Sequence, residues 1–152
     1  MPKSFDINGV MNTRFNICFT DIDGVVSVPR SHWDLDAELM GRLNRILEAT
    51  DARIVISSSW RNLFTIEQLR RMFSQHGITR RIIARTGDLN HRGNEIQEWL
   101  TENESLVRRF IVIDDDIWQL EEFEANGRMI HTNTALGLTE QEVTRAIQLL
   151  GE

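Results

Sequence analysis

Short apolar runs alternate with amphipathic stretches along most of this chain. The runs are rich in isoleucine, valine and phenylalanine, which is typical of strands buried on both faces. They predict strands at residues 17–19, 54–56, 82–84, 110–113 and 129–130. Between the runs, apolar residues recur at intervals of three and four, which predicts helices around residues 39–47, 66–73, 94–100, 120–123 and 143–150.

Polar residues and glycines mark several helix ends. Asp34 and Asp36 precede the first helix, where acidic side chains favour a helix N-terminus. Gly77 follows the second helix in the usual place of a C-cap, and Thr139 with Glu142 predicts a capping box for the last one. Strands that alternate with helices predict an α/β fold, a three-layer, doubly wound, Rossmann-like parallel sheet of about five strands.

Three of the predicted strands end in sets of polar residues. These sets are Asp21 with Asp23, the serines 57–59, and the aspartates 114–116. Because the carboxyl ends of parallel strands lie at one edge of a sheet, the three sets are expected to converge. An ordinary turn is the simpler interpretation of Asp21, Asp23 and Gly24 taken alone, because Asp and Gly are common turn residues.

Four or five carboxylates at one sheet edge repel one another unless a cation lies among them. Oxygen ligands favour Mg²⁺, which binds one or two carboxylates, waters and a substrate phosphate. Arg92 and the serine hydroxyls supply partners for a phosphoryl group near helix N-termini. The pattern therefore predicts phosphoryl transfer, and a structural metal site or a set of turn carboxylates is the alternative.

The motifs resemble those of the haloacid dehalogenase-like (HAD) superfamily of Mg²⁺-dependent phosphotransferases. Residues 20–25 match its first motif, Asp-x-Asp-Gly-Thr/Val after an apolar strand. Residues 54–57 match the second motif and Arg92 the third, a lone basic residue. Residues 111–115 match the fourth, a strand that ends in paired acids. The surroundings of Trp60 and Arg92 resemble the HAD domains of nucleic-acid repair proteins and phage-type stand-alone phosphatases.

The resemblance implies a catalytic role for four residues. Asp21 would be the nucleophile that forms an aspartyl-phosphate, and Asp23 would be the general acid and then the general base. Ser57 and Arg92 would bind the phosphate. The implied Mg²⁺ ligands are Asp21, the backbone carbonyl of Asp23, and Asp114 with Asp115.

Several assignments have rivals in the sequence. Ser58 competes with Ser57, because an error of one residue in the strand end exchanges them, and Arg85 competes with Arg92. Asp116 is interpreted equally well as a cap for a helix containing Trp118. Arg61 is expected to lie either at the substrate or on the surface. Trp33 and Trp60 are close enough to the predicted site to stack on a base, but packing is the favoured role for both.

Length and composition bear on the number of domains and on the cellular location. The chain has 152 residues and is expected to form a single HAD-like domain over residues 1–152. It has one cysteine, Cys18, in the first apolar run, and no apolar segment long enough for a membrane span. Its first residues lack the apolar segment that is typical of a signal peptide. A cytoplasmic location is expected on these grounds.

Charge and motif spacing bear on the substrate. The net charge is −6, yet residues 61–92 carry seven arginines against two acids, a balance of +5. The gaps at residues 24–56 and 58–91 are too short for a sizeable cap domain, which predicts an open site.

We expect a phosphomonoester hydrolase, and a nucleotide or nucleic-acid end phosphate is the first candidate for its substrate. The alternatives are a small-metabolite phosphatase and a non-catalytic phosphate-binding or regulatory module. Whether residues 25–33 form a flap over the site is left open by the sequence.

Overall fold

The computed structural model of the chain describes residues 3–5 and 11–151. Its centre is a five-stranded parallel sheet, preceded by a two-stranded antiparallel hairpin. The hairpin strands are β1 (Lys3–Phe5) and β2 (Met11–Thr13). The sheet strands are β3 (Phe15–Thr20), β4 (Arg53–Ile56), β5 (Ile82–Arg85), β6 (Val107–Asp114) and β7 (Met129–His131). They are arranged in the order β5-β4-β3-β6-β7, so β3 lies in the middle.

Helices cover both faces of this sheet, which confirms the predicted three-layer α/β fold. The helices are α1 (Ala37–Thr50), α2 (Ile66–Ser74), α3 (Arg92–Glu102), α4 (Glu121–Ala125) and α5 (Glu140–Gly151). Short 3-10 helices lie at Pro29–Ser31, Ser59–Asn62 and Glu104–Leu106. One core packs α1, α2 and α5 on the sheet, and a second packs α3 and α4 on the opposite face.

The central strand β3 is buried from Asn16 to Thr20 and contributes to both cores. Cys18 faces the first core, whereas Ile17 and Phe19 face the second, as the alternation of a strand requires. The Phe19 ring meets Trp99 edge to face, with the ring centroids 5.5 Å apart. Burial raises the pKa of the Cys18 thiol to about 12, so this residue acts as a small apolar side chain.

Helix-end chemistry explains most of the element boundaries. Thr139 and Glu142 form the predicted capping box, since each backbone N–H donates to the other side chain. Helix α3 begins at Arg92 rather than Asn94, because Nδ1 of His91 accepts the backbone N–H of Asn94 and caps the helix. This earlier start places Arg92 in the first turn, at the sheet edge where the polar sets lie.

Two features differ from the sequence interpretation. Trp118 lies in a turn before α4, not in a helix. The β1–β2 hairpin has no counterpart among the predicted elements, because its two three-residue strands lack a clear apolar run. The described residues contain no large cap domain, and residues 25–28 are buried in the core.

Candidate active site and metal centre

The sheet register brings the polar sets together. Thr20 pairs with Ile56 on one side and with Ile113 on the other. The next residues along these strands are Asp21, Ser57 and Asp114. The backbone N–H of Asp21 donates to the Ile113 carbonyl at 2.9 Å, and that of Ser57 donates to the Thr20 carbonyl at 3.1 Å. These three residues therefore lie side by side at the carboxyl edge of the sheet.

Three carboxylates form a compact triad at this edge. Asp21, Asp114 and Asp115 each offer one oxygen, and these oxygens lie within 4.8 Å of one another. Asp21 is only 7% exposed and Asp114 only 2%. Burial first, and then the negative charge of Asp114, raises the pKa of Asp21. Burial likewise raises the pKa of Asp114, while Arg92 opposes the shift in both.

Arg92 is the basic residue nearest to the triad among the described residues. Its Nη1 lies 2.7 Å from Oδ2 of Asp114 and 3.8 Å from Oδ1 of Asp21. Its backbone N–H donates to the side-chain oxygen of Gln119, which fixes the start of α3. One guanidinium does not neutralise three carboxylates. The all-oxygen donor set and its excess negative charge fit a hard divalent cation such as Mg²⁺.

The rival arginine points elsewhere. Nη1 of Arg85 donates to the backbone carbonyl of Arg61 at 2.8 Å, and the residue is exposed at the end of β5. It does not line the cavity that contains Asp21. Of the two arginines, Arg92 therefore lies at the acidic triad and Arg85 does not.

The two rival serines also have different surroundings. Both are fully buried. Oγ of Ser58 accepts the backbone N–H of Trp60 at 3.2 Å and caps the following 3-10 helix. Oγ of Ser57 has no hydrogen-bond partner within the described part of the chain. A buried hydroxyl without a partner is costly, so Ser57 still has hydrogen-bonding capacity that Ser58 has used, although neither serine is among the residues that line the cavity.

Asp23 lies beside the triad but outside it. Its carboxylate is half-buried, and its Oδ1 accepts the indole N–H of Trp60 at 3.0 Å. Trp60 itself is buried against Phe64, so packing is its role. Gly24 has a φ of 78°, and a Cβ at this position would come within 2.2 Å of Oδ2 of Asp115. The glycine therefore allows the chain to turn closely past the acids.

A cavity of about 490 Å³ opens in front of the triad. Asp21, Asp114, Asp115 and Arg92 are among the residues that line it. Trp118 also lines the cavity, although its side chain is 68% exposed. Sequence reasoning missed this tryptophan as a site residue. The one available signal was its position just after the acidic set.

The turn that carries Trp118 is tightly held. Oδ1 of Asp116 accepts the backbone N–H of Trp118 at 2.9 Å, so Asp116 acts as a turn residue rather than as a member of the triad. The Gln119 carbonyl packs against Gly93, where a Cβ would come within 2.2 Å of it. Trp33, by contrast, is 45% exposed and does not line the cavity. The loop thus holds Trp118 at the cavity wall.

A buried ion pair supports the other wall. Nη2 of Arg61 lies 2.8 Å from Oε2 of Glu95, and the two residues are 6% and 2% exposed. Nη1 of Arg61 donates to the Ser58 carbonyl, and Glu95 accepts the backbone N–H of Leu89. Arg61 is therefore buried and ion-paired rather than on the surface, and it also lines the cavity that contains Asp21. Glu95, which it missed, connects the loop after β4 to α3.

Comparison with known proteins agrees with this geometry. The family model for the HAD domain in Swiss Army Knife RNA repair proteins matches residues 17–143. The chain belongs to this family. The match confirms both the HAD resemblance and the relation to repair proteins. No relative was found among the curated proteins.

Membership of the HAD family indicates phosphatase-type chemistry supported by a divalent metal. The parallel sheet, the acidic triad and the lack of a large cap among the described residues agree with this membership.

None of the helices in the described part of the chain is both long enough and apolar enough to span a membrane.

Replacing Asp21 with asparagine is expected to stabilise the metal-free HAD domain at neutral pH. Folding raises the pKa of Asp21 to about 8. The carboxyl therefore destabilises the folded state increasingly as the pH rises above its unfolded pKa of about 4. Asparagine removes this penalty and keeps an oxygen for the Ile22 N–H. The expected gain is about 1–2 kcal/mol, or roughly 2–8 °C in melting temperature.

Thermal unfolding in a chelator at about pH 8 and about pH 5 measures this effect. The gain should be larger at the higher pH. Asp116→Asn is the control, because Asp116 is exposed and its turn hydrogen bond survives the change. A melting temperature that is unchanged or lowered at both pH values would contradict the expected cost of burying the Asp21 charge beside Asp114.

Proposed function

We propose that this HAD domain is a Mg²⁺-dependent phosphomonoester hydrolase that acts through an aspartyl-phosphate on Asp21. The observation that carries the proposal is the buried carboxylate triad next to Arg92 at the base of an open cavity. Buried carboxylates with raised pKa values in a cavity are a frequent mark of catalytic sites. Family membership supports the same chemistry.

The metal would be held by Asp21, Asp114 and Asp115, together with the backbone carbonyl of Asp23. When bound, Mg²⁺ offsets the repulsion between the attacking carboxylate and the anionic phosphate. Arg92 supplies a second positive charge for the phosphoryl oxygens, and the Ser57 hydroxyl donates to one of them.

The reaction divides into two displacements at phosphorus. A carboxylate oxygen of Asp21 attacks in line and forms a new P–O bond, while the bond to the leaving oxygen breaks and Asp23 protonates that oxygen. Asp23 then takes a proton from water, which attacks the same phosphorus and releases Asp21 and inorganic phosphate. The Trp60 N–H bonded to Oδ1 of Asp23 orients this carboxyl and leaves Oδ2 for the proton.

A nucleotide or nucleic-acid end is the proposed substrate, and a phosphorylated RNA end is the first choice. The matched family model describes domains of RNA repair proteins. The site is open, which suits a large substrate. The indole of Trp118 at the cavity wall offers a flat surface on which the base next to the phosphate can stack.

Trp118→Ala is expected to raise KM for nucleotides and phosphorylated RNA by roughly 10-fold, because one base stack contributes about 1–3 kcal/mol. KM for a sugar phosphate should stay unchanged, because this substrate has no base. The measurement is phosphate release by purified protein with Mg²⁺ from all three substrates. Trp33→Ala is the matched control, since it removes an exposed tryptophan outside the cavity.

The same panel separates the alternatives. A clear preference for the sugar phosphate, with no effect of Trp118→Ala on nucleotides, would favour a small-metabolite phosphatase. Binding of phosphorylated compounds without hydrolysis of any of them would favour a non-catalytic phosphate-binding or regulatory module.

A further inference from the structure

A second cavity lies away from the active site, between α2 and the edge strand β5. Its volume is about 540 Å³. Arginines 70, 71 and 80 line it together with the hydroxyl residues Ser74 and Thr79, and no acidic residue of the described chain does so. We call this cavity the basic groove. It lies within the segment of residues 61–92 whose charge balance is +5.

Two of the three groove arginines carry uncompensated charge. Arg70 is paired with Glu67 at 2.6 Å and donates to the Ile82 carbonyl. Arg71 and Arg80 are exposed, and neither makes an ion pair with another described residue. Arg81, next to Arg80, is by contrast paired with an acid, Asp51, at 2.6 Å. The groove thus contains two exposed arginines without an ion-pair partner among the described residues, in a protein whose net charge is −6.

Local structure gives a reason for a positive charge at only one of these two positions. Arg71 lies in the last turn of α2, where a cation interacts favourably with the helix dipole. Arg80 has a φ of 61°, in the left-handed region that costs a residue with a Cβ about 1 kcal/mol. Glycine or asparagine would suit this backbone better than arginine, so the fold itself gives no reason for a cation at position 80.

The edge strand β5 connects the groove with the surroundings of the active-site cavity. Ile82, at the start of β5, lines the groove, and Arg85, at the end of β5, donates to the Arg61 carbonyl beside the active-site cavity. The three steps between them cover about 10 Å at the rise of a β-strand. Asp21 follows β3, two strands from β5, which adds about 10 Å at the usual spacing of strands. An extended polyanion with its end at Asp21 is therefore expected to reach the groove over a path of about 20 Å.

We propose that the basic groove binds the phosphate backbone of an RNA strand whose terminal phosphate enters the active site. This inference rests on the proposed function and adds a second contact surface to it. Arginine forks match phosphate oxygens, and the serine and threonine hydroxyls supply further donors. The groove would then favour phosphorylated oligonucleotides over mononucleotides as substrates.

Reversing both free charges should weaken RNA binding. The variant Arg71→Glu/Arg80→Glu is combined with Asp21→Asn, and binding of a fluorescein-labelled, phosphorylated single-stranded RNA is measured by anisotropy at several salt concentrations. Affinity is expected to fall at least 10-fold, and the slope of log K against log salt should flatten by about 1.4, because each lost phosphate contact contributes about 0.7 for single strands. The milder variant Arg71→Ala/Arg80→Ala should change binding in the same direction.

The control is Arg14→Glu/Arg145→Glu, which changes the net charge equally at two exposed arginines outside the groove, one between β2 and β3 and one on α5. Equal loss of affinity in the control and the groove variant would overturn the proposal, because it would reflect net charge alone. So would unchanged RNA binding, or tighter binding of an acidic phosphopeptide than of RNA. Melting temperatures show that each variant is folded.

Hydrolysis provides the second readout. With Asp21 restored, Arg71→Glu/Arg80→Glu should lower kcat/KM for the phosphorylated RNA at least 10-fold and leave that for a mononucleotide unchanged. Because the binding measurement needs no hydrolysis, an inactive wild type would contradict the proposed function without deciding the groove. Loss of RNA binding in the groove variant alone would still support the groove.

Discussion

Asp21→Asn is expected to reduce phosphomonoester hydrolysis by roughly 10⁴-fold or more, the scale seen when a catalytic nucleophile is removed. An amide cannot attack phosphorus as a carboxylate does, and the change also removes one of the three carboxylates of the metal site. The shape of the side chain is preserved, and so is an acceptor for the Ile22 N–H. The loss should therefore appear in kcat without loss of the fold.

Initial rates on an aryl phosphate with Mg²⁺ measure this effect, and Asp116→Asn is again the matched control. The control should retain nearly full activity, because Asp116 is outside the triad. The same Asp21→Asn protein should melt at a higher temperature than the wild type in chelator. A stable but inactive variant would show that the buried charge is kept for catalysis at a cost to stability. Substantial residual activity would contradict the nucleophile assignment.

Glu95→Ala is expected to give the largest loss of stability of any substitution considered. It leaves the buried Arg61 guanidinium with only the exposed Asp88 carboxylate, 3.8 Å away, and breaking a buried pair in this way costs about 3–5 kcal/mol. The melting temperature should fall by roughly 6–20 °C at this chain length. Activity should also fall, because the pair connects the Ser57–Ser58 loop to the helix that carries Arg92.

A double variant tests whether the unpaired charge is the cause. Arg61→Met in the Glu95→Ala background removes the charge and should recover most of the lost stability, because replacing a buried pair with apolar groups is often close to neutral. Glu98→Ala, an exposed position on the same helix, is the control and should change the free energy of unfolding by less than about 0.5 kcal/mol. A Glu95→Ala protein as stable as this control would contradict the expected effect.

Sequence patterns predicted the sheet and the convergence of the acids for a physical reason. The strands that carry Asp21, Ser57 and Asp114 are continuous apolar runs, and parallel strands that end in polar residues must present them at one edge. The helix ends followed from local chemistry, as in the Thr139–Glu142 capping box. Each of these signals comes from residues that are close together in the sequence.

Contacts between residues far apart in the sequence could not be predicted from these local patterns. The Asp23–Trp60 hydrogen bond and the Arg61–Glu95 ion pair join residues more than thirty positions apart, and neither partner shows a pattern that identifies the other. Trp118 has no helical or strand period, so only the structure places it at the cavity wall. Ser57 and Ser58 differ in which hydroxyl the backbone already uses, and no sequence pattern signals that difference.

Trapping the phosphorylated enzyme tests the central claim most directly. Asp23→Asn removes the proposed base for the second displacement, while an aryl phosphate with a good leaving group needs little help from an acid in the first. After mixing with this substrate and Mg²⁺ and quenching in acid, peptide mapping by mass spectrometry should find one phosphoryl group on Asp21. The double variant Asp21→Asn/Asp23→Asn should carry none. A phosphoryl group on another residue, or steady turnover by Asp23→Asn with no covalent adduct, would contradict the aspartyl-phosphate mechanism.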